Sequence, residues 1–158
     1  MSVRPIRPDD VPAVVALVRE LADYEKALHE VRLTEDQLTD SLFGDAPALF
    51  GHIATADDGQ VVGIALWFLN FSTWRGTHGI YLEDLYVQPQ HRGHGLGKEL
   101  LRTLAAVCVE RGYSRLEWSV LDWNAPSIEF YEAAGAVPMD EWTVFRLTDD
   151  ALLSFAAR

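Results

Sequence analysis

Residues 81–101 read YLEDLYVQPQHRGHGLGKELL, a pattern that predicts a strand, a glycine-rich turn and the start of a helix. The strand pattern covers Ile80 to Val87, where β-branched, aromatic and leucine residues dominate. The helix begins near Gly95 and continues to about Arg111 with leucines at helical spacing, and Gly112 ends it. This stretch therefore predicts a unit in which a helix N-terminus follows closely on the end of a strand.

The turn between the strand and the helix has the composition of an anion-binding site. Three alternating glycines, within residues 93–97, allow the backbone to approach a ligand closely. The free N–H groups of the first helical turn would face outward beside them. Residues 85–98 contain no Asp or Glu, although the chain has 24 of them, and they include the cations Arg92 and Lys98. A plain turn is the alternative interpretation of the glycines.

Of three known phosphate-binding motifs, one fits this turn. A P-loop requires Gly-Lys followed by Ser or Thr, but Gly97-Lys98 is followed by Glu99. A dinucleotide fingerprint requires Gly-x-Gly-x-x-Gly after a Rossmann-type strand, and the glycines here fall at every second position. The pattern Arg/Gln-x-x-Gly-x-Gly/Ala is satisfied by Arg92, Gly95 and Gly97. The third motif is therefore the one that fits.

The composition indicates a globular protein and narrows its ligands. With 158 residues and 49% hydrophobic residues, we expect one domain, residues 1–158, with a sizeable core. The net charge of −11 argues against a nucleic-acid binder and favours a cationic ligand. The longest apolar stretch, Val61 to Leu69, is shorter than a membrane helix needs. Since no apolar signal-peptide core follows Met1, we expect a cytoplasmic location.

The cysteine and histidine content excludes two other kinds of site. The one cysteine, Cys108, cannot form an internal disulfide or a cysteine-based zinc site. It falls on the apolar side of the predicted helix, so we expect a buried, inert thiol. The five histidines show no metal-ligand spacing with carboxylates, so we expect no metal.

The order of predicted elements is β-α-α-β-β-β-α-β-α-β. Residues 2–7 form the first strand, and the sequence Asp57-Asp58-Gly59 predicts a hairpin between the second and third strands. The last strands are predicted at Ser114 to Leu121 and Trp142 to Leu147. A hairpin-rich first half followed by βαβ units predicts an α/β fold with one mixed sheet covered by helices.

Three sequence blocks resemble the GCN5-related N-acetyltransferases, in particular their diamine (spermidine/spermine) and thialysine acetyltransferase branch. The first is Leu21-Ala22-x-Tyr24-Glu25, and the second is Tyr81-Leu82-Glu83-Asp84 with the turn described above. The third is Trp123-Asn124-x-Pro126-Ser127-Ile128-x-Phe130-Tyr131 with Gly135-Ala136. The resemblance implies a single acetyltransferase domain whose mixed central sheet has a splayed pair of parallel strands and helices on both faces.

The resemblance also implies where acetyl-CoA binds. Its pantetheine arm would pair with the backbone of the central strand, and its pyrophosphate would bind at the glycine-rich turn. Asn124 and Ser127 would cap the second motif helix and touch the cofactor arm. The implied cofactor residues are Leu85, Tyr86, Val87, Arg92, Gly93, His94, Gly95, Leu96, Gly97, Lys98, Asn124, Ser127 and Tyr131.

Two residues resemble the acid and the base of the family. A phenol of pKa about 10, such as that of Tyr131, is well matched to protonate a thiolate of pKa about 8.5. Glu83 lies where the family has a carboxylate that accepts the proton of the amine through water. Because Glu83 and Asp84 are neighbours in a strand, one of them should face the sheet interior or a cleft. The alternative for Glu83 is a surface role beside Arg75 or His78.

The resemblance implies an acidic pocket for the amine substrate. Tyr24, Glu25 and Trp74 match lining positions, and Glu83 lies among them. Asp140 or Glu141 would hold the far amine, and the sequence leaves the choice between them open.

The predicted function is acetyl transfer from acetyl-CoA to a primary amine, by direct attack in a ternary complex. The substrate would be a polyamine, a diamine or a lysine-like amino acid such as thialysine. Acetylation of a protein or peptide amine is an alternative, and so is a regulatory module that binds acyl-CoA without turnover. Members of the branch are homodimers, so the resemblance also implies a homodimer.

Overall fold

The computed structural model describes residues 1–157, which fall into two compact units. The first unit is Met1–Leu121, and the second begins at Asp122. The elements of the first unit are β1 (Ser2–Pro5), α1 (Val11–Tyr24), α2 (Glu35–Phe43), β2 (Phe50–Thr55), β3 (Val61–Ser72), β4 (Thr77–Val87), α3 (Leu96–Arg111) and β5 (Leu116–Glu117). Short 3-10 turns occur at Pro8–Asp10, Leu28–Glu30 and Pro89–His91.

A mixed five-stranded sheet runs through the first unit in the order β1-β2-β3-β4-β5. Neighbours from β1 to β4 are antiparallel, and β4 pairs with β5 in parallel. The predicted hairpin between β2 and β3 is confirmed, because Ala56 N–H donates to the Gln60 carbonyl across the turn at 2.9 Å. The parallel ladder joins only Ile80 to Leu116 and Tyr81 to Glu117.

One face of the sheet is covered by α1 and α2. Leu17 of α1 and Leu38 of α2 are fully buried against Ile53 and Ile64 of the sheet. Burying a side chain of this size stabilises the fold by about 1.5–3 kcal/mol. The sequence spacing of Thr34 and Gln37 predicts a capping box at the start of α2. The structure confirms it, since the Thr34 hydroxyl accepts from Gln37 N–H and the Gln37 amide oxygen accepts from Thr34 N–H.

The other face is covered by α3. Because side chains alternate along a strand, Ala54 and Ala65 face away from α1, and α3 packs on that side. Leu100 and Leu104 of α3 are fully buried. The predicted burial of Cys108 is confirmed, and desolvation raises the pKa of its thiol.

The second unit contains α4 (Ala125–Ala133) and α5 (Asp149–Ala156). The buried side chain of Asn124 caps α4, since its Oδ1 accepts from Ser127 N–H at 3.4 Å. Pro126 lies in the first turn of α4, where its missing N–H has no helical partner to lose.

The structure corrects two predicted strands. Residues 142–147 form no strand, because no strand among residues 1–157 pairs with them and all six residues are exposed. The strand predicted at Ser114 to Leu121 is reduced to Leu116–Glu117, which is the length that stays in register with β4. Apolar alternation alone therefore predicted too much strand in both segments. A strand also needs a neighbouring strand that hydrogen-bonds to its backbone N–H and C=O groups.

Candidate active site

The glycine-rich turn has the backbone geometry of an open anion-binding site. Gly93 and Gly95 have φ angles of +83° and +82°, a region that favours glycine, and a Cβ at either position would meet no atom within 4 Å. The 16-residue helix α3 begins at Leu96, with Gly95 as its N-cap. Its first-turn N–H groups have no helical partner and carry partial positive charge. His94 and Lys98 are exposed beside them.

The edge of β4 next to the turn is open on the β5 side. Within residues 1–157, β5 pairs only with Ile80 and Tyr81, so the segment Leu82–Val87 has no strand neighbour there. The two parallel strands are joined at the start of β4 and not along the rest of it. An extended ligand could pair with this free backbone edge in the way that an added strand would.

Arg92, which lies in the turn, contacts the neighbouring parts of the protein. Its Nε donates to the Val87 carbonyl at 2.8 Å, and its guanidinium lies 5.6 Å from the ring centroids of both Tyr24 and Tyr86. These contacts join the end of β4, the turn and the end of α1. Sequence reasoning assigned Arg92 only to phosphate, so this second role was missed.

Glu20 of α1 also contacts the end of β4 and the start of the turn. Gln88 Nε2 donates to Glu20 Oε1 at 3.1 Å, and the Tyr86 hydroxyl donates to Glu20 Oε2 at 3.3 Å. Burial and the Glu20 charge both raise the pKa of the Tyr86 phenol. We call Glu20, Tyr86 and Gln88 the α1–β4 clasp, because they tie α1 to the start of the turn.

An open cleft of about 370 Å³ lies between α1, the loop that follows α1, and β4. Six of its lining residues are apolar and five are charged. They are Val18, Leu21, Ala22, Ala27, Val31 and Leu33, with Glu25, Glu30, Arg32, Glu83 and Asp84. A cleft of this size accommodates a small molecule. We call it the acidic cleft.

A β-bulge brings two neighbouring acids to the acidic cleft. Leu66 of β3 pairs with Asp84 and Trp67 pairs with Leu82, so Glu83 is an extra residue in β4. A regular strand would direct Glu83 and Asp84 to opposite faces. The bulge interrupts this alternation, and both residues line the cleft. The sequence predicted that one of the pair would face the sheet interior or a cleft, and in the structure both line the cleft.

Burial raises the pKa of two acids of the cleft, Asp84 and Glu25. The pKa of Asp84 is raised to about 7, mainly by burial and in addition by the charges of Glu83 and Glu25. Burial also raises the pKa of the Glu25 carboxyl. Glu83 is more exposed than Asp84. Sequence reasoning did not single out Asp84, because the bulge that brings it to the cleft has no signature in the sequence.

Two other residues predicted for the amine pocket, Tyr24 and Trp74, do not line the acidic cleft. Tyr24 contacts Arg92 and is not among the residues that line the acidic cleft. Trp74 lies at the tip of the β3–β4 hairpin, where it is 91% exposed, and it does not line the cleft either. Asp140 and Glu141 are exposed residues of the second unit.

The second unit holds three predicted site residues on or beside α4. Asn124 is the N-cap of α4, Ser127 lies in its first turn, and Tyr131 lies in its later part. Tyr131 is half-buried, and its ring centroid lies 5.4 Å from that of Phe130. The role of Tyr131 as an acid therefore stays a prediction from the sequence.

Residues 1–157 contain neither a metal-binding cluster nor a helix that could cross a membrane. Within residues 1–157, no group of three or more His, Cys, Asp and Glu side chains is arranged to hold a metal ion. No helix in the same range is long and apolar enough to cross a bilayer.

Comparison with known proteins identifies the family. The Acetyltransferase (GNAT) family matches residues 14–136. Thialysine N-epsilon-acetyltransferase of Bos taurus is 36% identical over 170 residues, which cover 100% of this chain and 98% of the bovine protein. L-ornithine N5-acetyltransferase of Arabidopsis thaliana is 30% identical over 194 residues, which cover 95% of this chain and 85% of that protein.

A solved structure supports the same fold. An integron cassette protein of V. cholerae superimposes with a TM-score of 0.82 at 23% identity, over 99% of this chain and 98% of that one. The chain belongs to the GNAT family and is an acetyl-CoA-dependent N-acetyltransferase.

Proposed function

We propose that this enzyme acetylates a primary amine of a small cationic substrate, either a polyamine or diamine or a lysine-like amino acid such as thialysine. One observation carries the proposal. A single strand, β4, has two acids on the acidic cleft at its bulge and an open backbone edge leading to an anion-binding turn. Cation recognition and acyl-donor recognition thus meet on adjacent residues.

The residues of the first unit fit the acetyl donor. The open edge at Leu85, Tyr86 and Val87 suits an extended amide-containing arm, and the space over Gly93 and Gly95 suits a pyrophosphate. Leu96 to Lys98 add the first-turn amides and one cation. When bound, acetyl-CoA supplies an activated acyl group with a thiolate as leaving group.

The acidic cleft would attract the amine and accept its proton. An alkylammonium has a pKa of about 10.4 and must lose a proton before its nitrogen can attack. Glu83 and Asp84 would bind the cation first, and Glu83 would then take the proton through a water molecule. The new N–C bond forms as the C–S bond breaks, and the Tyr131 hydroxyl would give its proton to the departing sulfur.

The remaining parts of the proposal rest on the sequence resemblance. Asn124 and Ser127 would touch the cofactor arm, and Asp140 or Glu141 would hold a second amine. We propose a homodimer on the same basis, and we also propose the cytoplasmic location expected from the sequence. The alternative substrate class is a protein or peptide amine. The alternative to an enzyme is a regulatory module that binds acyl-CoA without turnover.

A panel of amines with acetyl-CoA, followed by release of the CoA thiol, tests the proposal. Diamines and lysine-like amino acids should be better substrates than monoamines of equal length, and more so at low salt, because ions screen charge attraction. Equal use of neutral or anionic amines would contradict the acidic pocket. Thiol release only with peptides or proteins would favour the alternative substrate class.

A further inference from the structure

Arg32 is the one cation among the residues that line the acidic cleft. Four carboxylates line the same cleft, yet the Arg32 side chain makes no hydrogen bond or ion pair within residues 1–157. Burial, followed by the charges of Glu83 and Glu25, raises the pKa of Asp84, and no arginine offsets these effects. The cleft therefore presents separate positive and negative groups and not a neutralised pair.

The backbone around Arg32 is anchored at a defined position. Leu33 packs against the buried core, and Val31 is half-buried. Thr34 follows in an extended conformation, with φ of −110°, and forms the capping box that starts α2. Arg32 is thus held between a core contact and a helix cap, which keeps it at the rim of the cleft.

The charges of the cleft match one of the two proposed substrate classes better than the other. A diamine carries two positive charges and no negative one. Its ammonium groups would therefore repel the Arg32 guanidinium and not pair with it. A lysine-like amino acid carries two ammonium groups and one carboxylate. The ammonium groups suit the acids, and a carboxylate suits a guanidinium, which binds it through parallel N–H donors.

We propose that Arg32 is the specificity-determining residue of the cleft and pairs with the carboxylate of a lysine-like amino acid. This inference rests on the proposed function and narrows it to amino acids that carry a terminal amine. A charge-assisted contact of this kind, at an exposed position, corresponds to about a tenfold preference in kcat/KM.

Substrate pairs that differ only in the carboxylate provide the test. We would compare lysine with cadaverine and ornithine with putrescine, in the wild type and in Arg32→Gln. The variant should lose about tenfold in kcat/KM for the amino acids, mainly through KM, because the anion loses its partner. It should use the diamines as well as before or better, because a repelling charge has been removed.

Two control variants separate recognition from a general loss of structure. Arg19→Gln removes the same charge from an exposed residue of α1 that does not line the cleft. It should leave the ratio of kcat/KM for each amino acid to kcat/KM for the matching diamine unchanged. Arg32→Lys retains the charge and should restore part of the preference for amino acids. Equal losses for amino acids and diamines in Arg32→Gln would show a structural role and overturn the inference.

The outcomes also distinguish this inference from the proposed function. If the wild type uses each diamine as well as its amino acid, the proposed function stands and the role of Arg32 is wrong. If no amine releases CoA thiol above background, the proposed function itself is overturned, and the inference with it.

Discussion

Replacing Gly95 by valine tests the cofactor site most sharply, because the structure separates its cost to folding from its cost to binding. Gly95 has a φ angle of +82°, and an added Cβ would meet no atom within 4 Å. The variant therefore suffers backbone strain without a clash inside the protein. Strain of this kind costs about 1–3 kcal/mol, which a chain of this size should survive.

Gly112 offers a matched control at the other end of α3. Its φ angle is +70°, and an added Cβ there also meets no atom within 4 Å. Gly112→Val should therefore lose a similar amount of stability. It lies at the C-terminal end of the helix, far along the sequence from the proposed pyrophosphate turn.

The two variants should differ in ligand binding. In isothermal titration calorimetry with acetyl-CoA, Gly95→Val should lose at least about tenfold in affinity, because the branched side chain occupies the space proposed for the pyrophosphate and displaces the first-turn amides. Gly112→Val should bind like the wild type. A folded Gly95→Val variant with wild-type affinity would refute the assignment of this turn.

Three further predictions address the chemistry. Tyr131→Phe should lower kcat by about 10²–10⁴-fold while acetyl-CoA still binds, because it removes only a proton donor; near-normal turnover would remove Tyr131 from the reaction. Asp84→Asn should raise the unfolding temperature at pH 8 but not at pH 4. The pKa of Asp84 is about 7 in the folded state, so the carboxyl of the wild type lowers the free energy of unfolding progressively as pH rises from about 4 to 7. The same variant should bind the amine more weakly. Glu20→Gln loosens the α1–β4 clasp, so the KM for acetyl-CoA should rise several-fold with little change in kcat, measured by steady-state kinetics.

The sequence predicted the parts of the fold that depend on local signals. The glycine-rich turn and the helix after it, the capping box of α2 and the β2–β3 hairpin all follow from residues close together in the chain. Caps and turns are decided within a few residues, so a pattern read along the chain is enough to place them.

The parts that depend on pairing between distant segments could not be predicted in this way. The bulge at Glu83 arises from the register of β4 against Leu66 and Trp67, and nothing in the local pattern indicates it. The raised pKa of Asp84 follows from its burial, from the charge of its neighbour Glu83 and from that of Glu25, which lies about sixty residues earlier in the sequence.

The same limit applies to the residues around the turn. The contacts of Arg92 with Tyr24 and Tyr86 join α1 to the end of β4, and a motif read along the chain assigns Arg92 to phosphate alone. The strand predicted at residues 142–147 shows the opposite error. Its apolar alternation was visible, but the absence of a pairing partner among residues 1–157 was not.

The most direct test of the central claim measures whether CoA thiol release matches acetylated amine. Purified protein would be incubated with acetyl-CoA and a cationic primary amine, and both products would be quantified over time. Acetyl transfer predicts catalytic turnover, with one free thiol for each N-acetyl group and with both depending on the amine. Binding of acetyl-CoA by calorimetry, with neither product above background for any cationic amine, would contradict it.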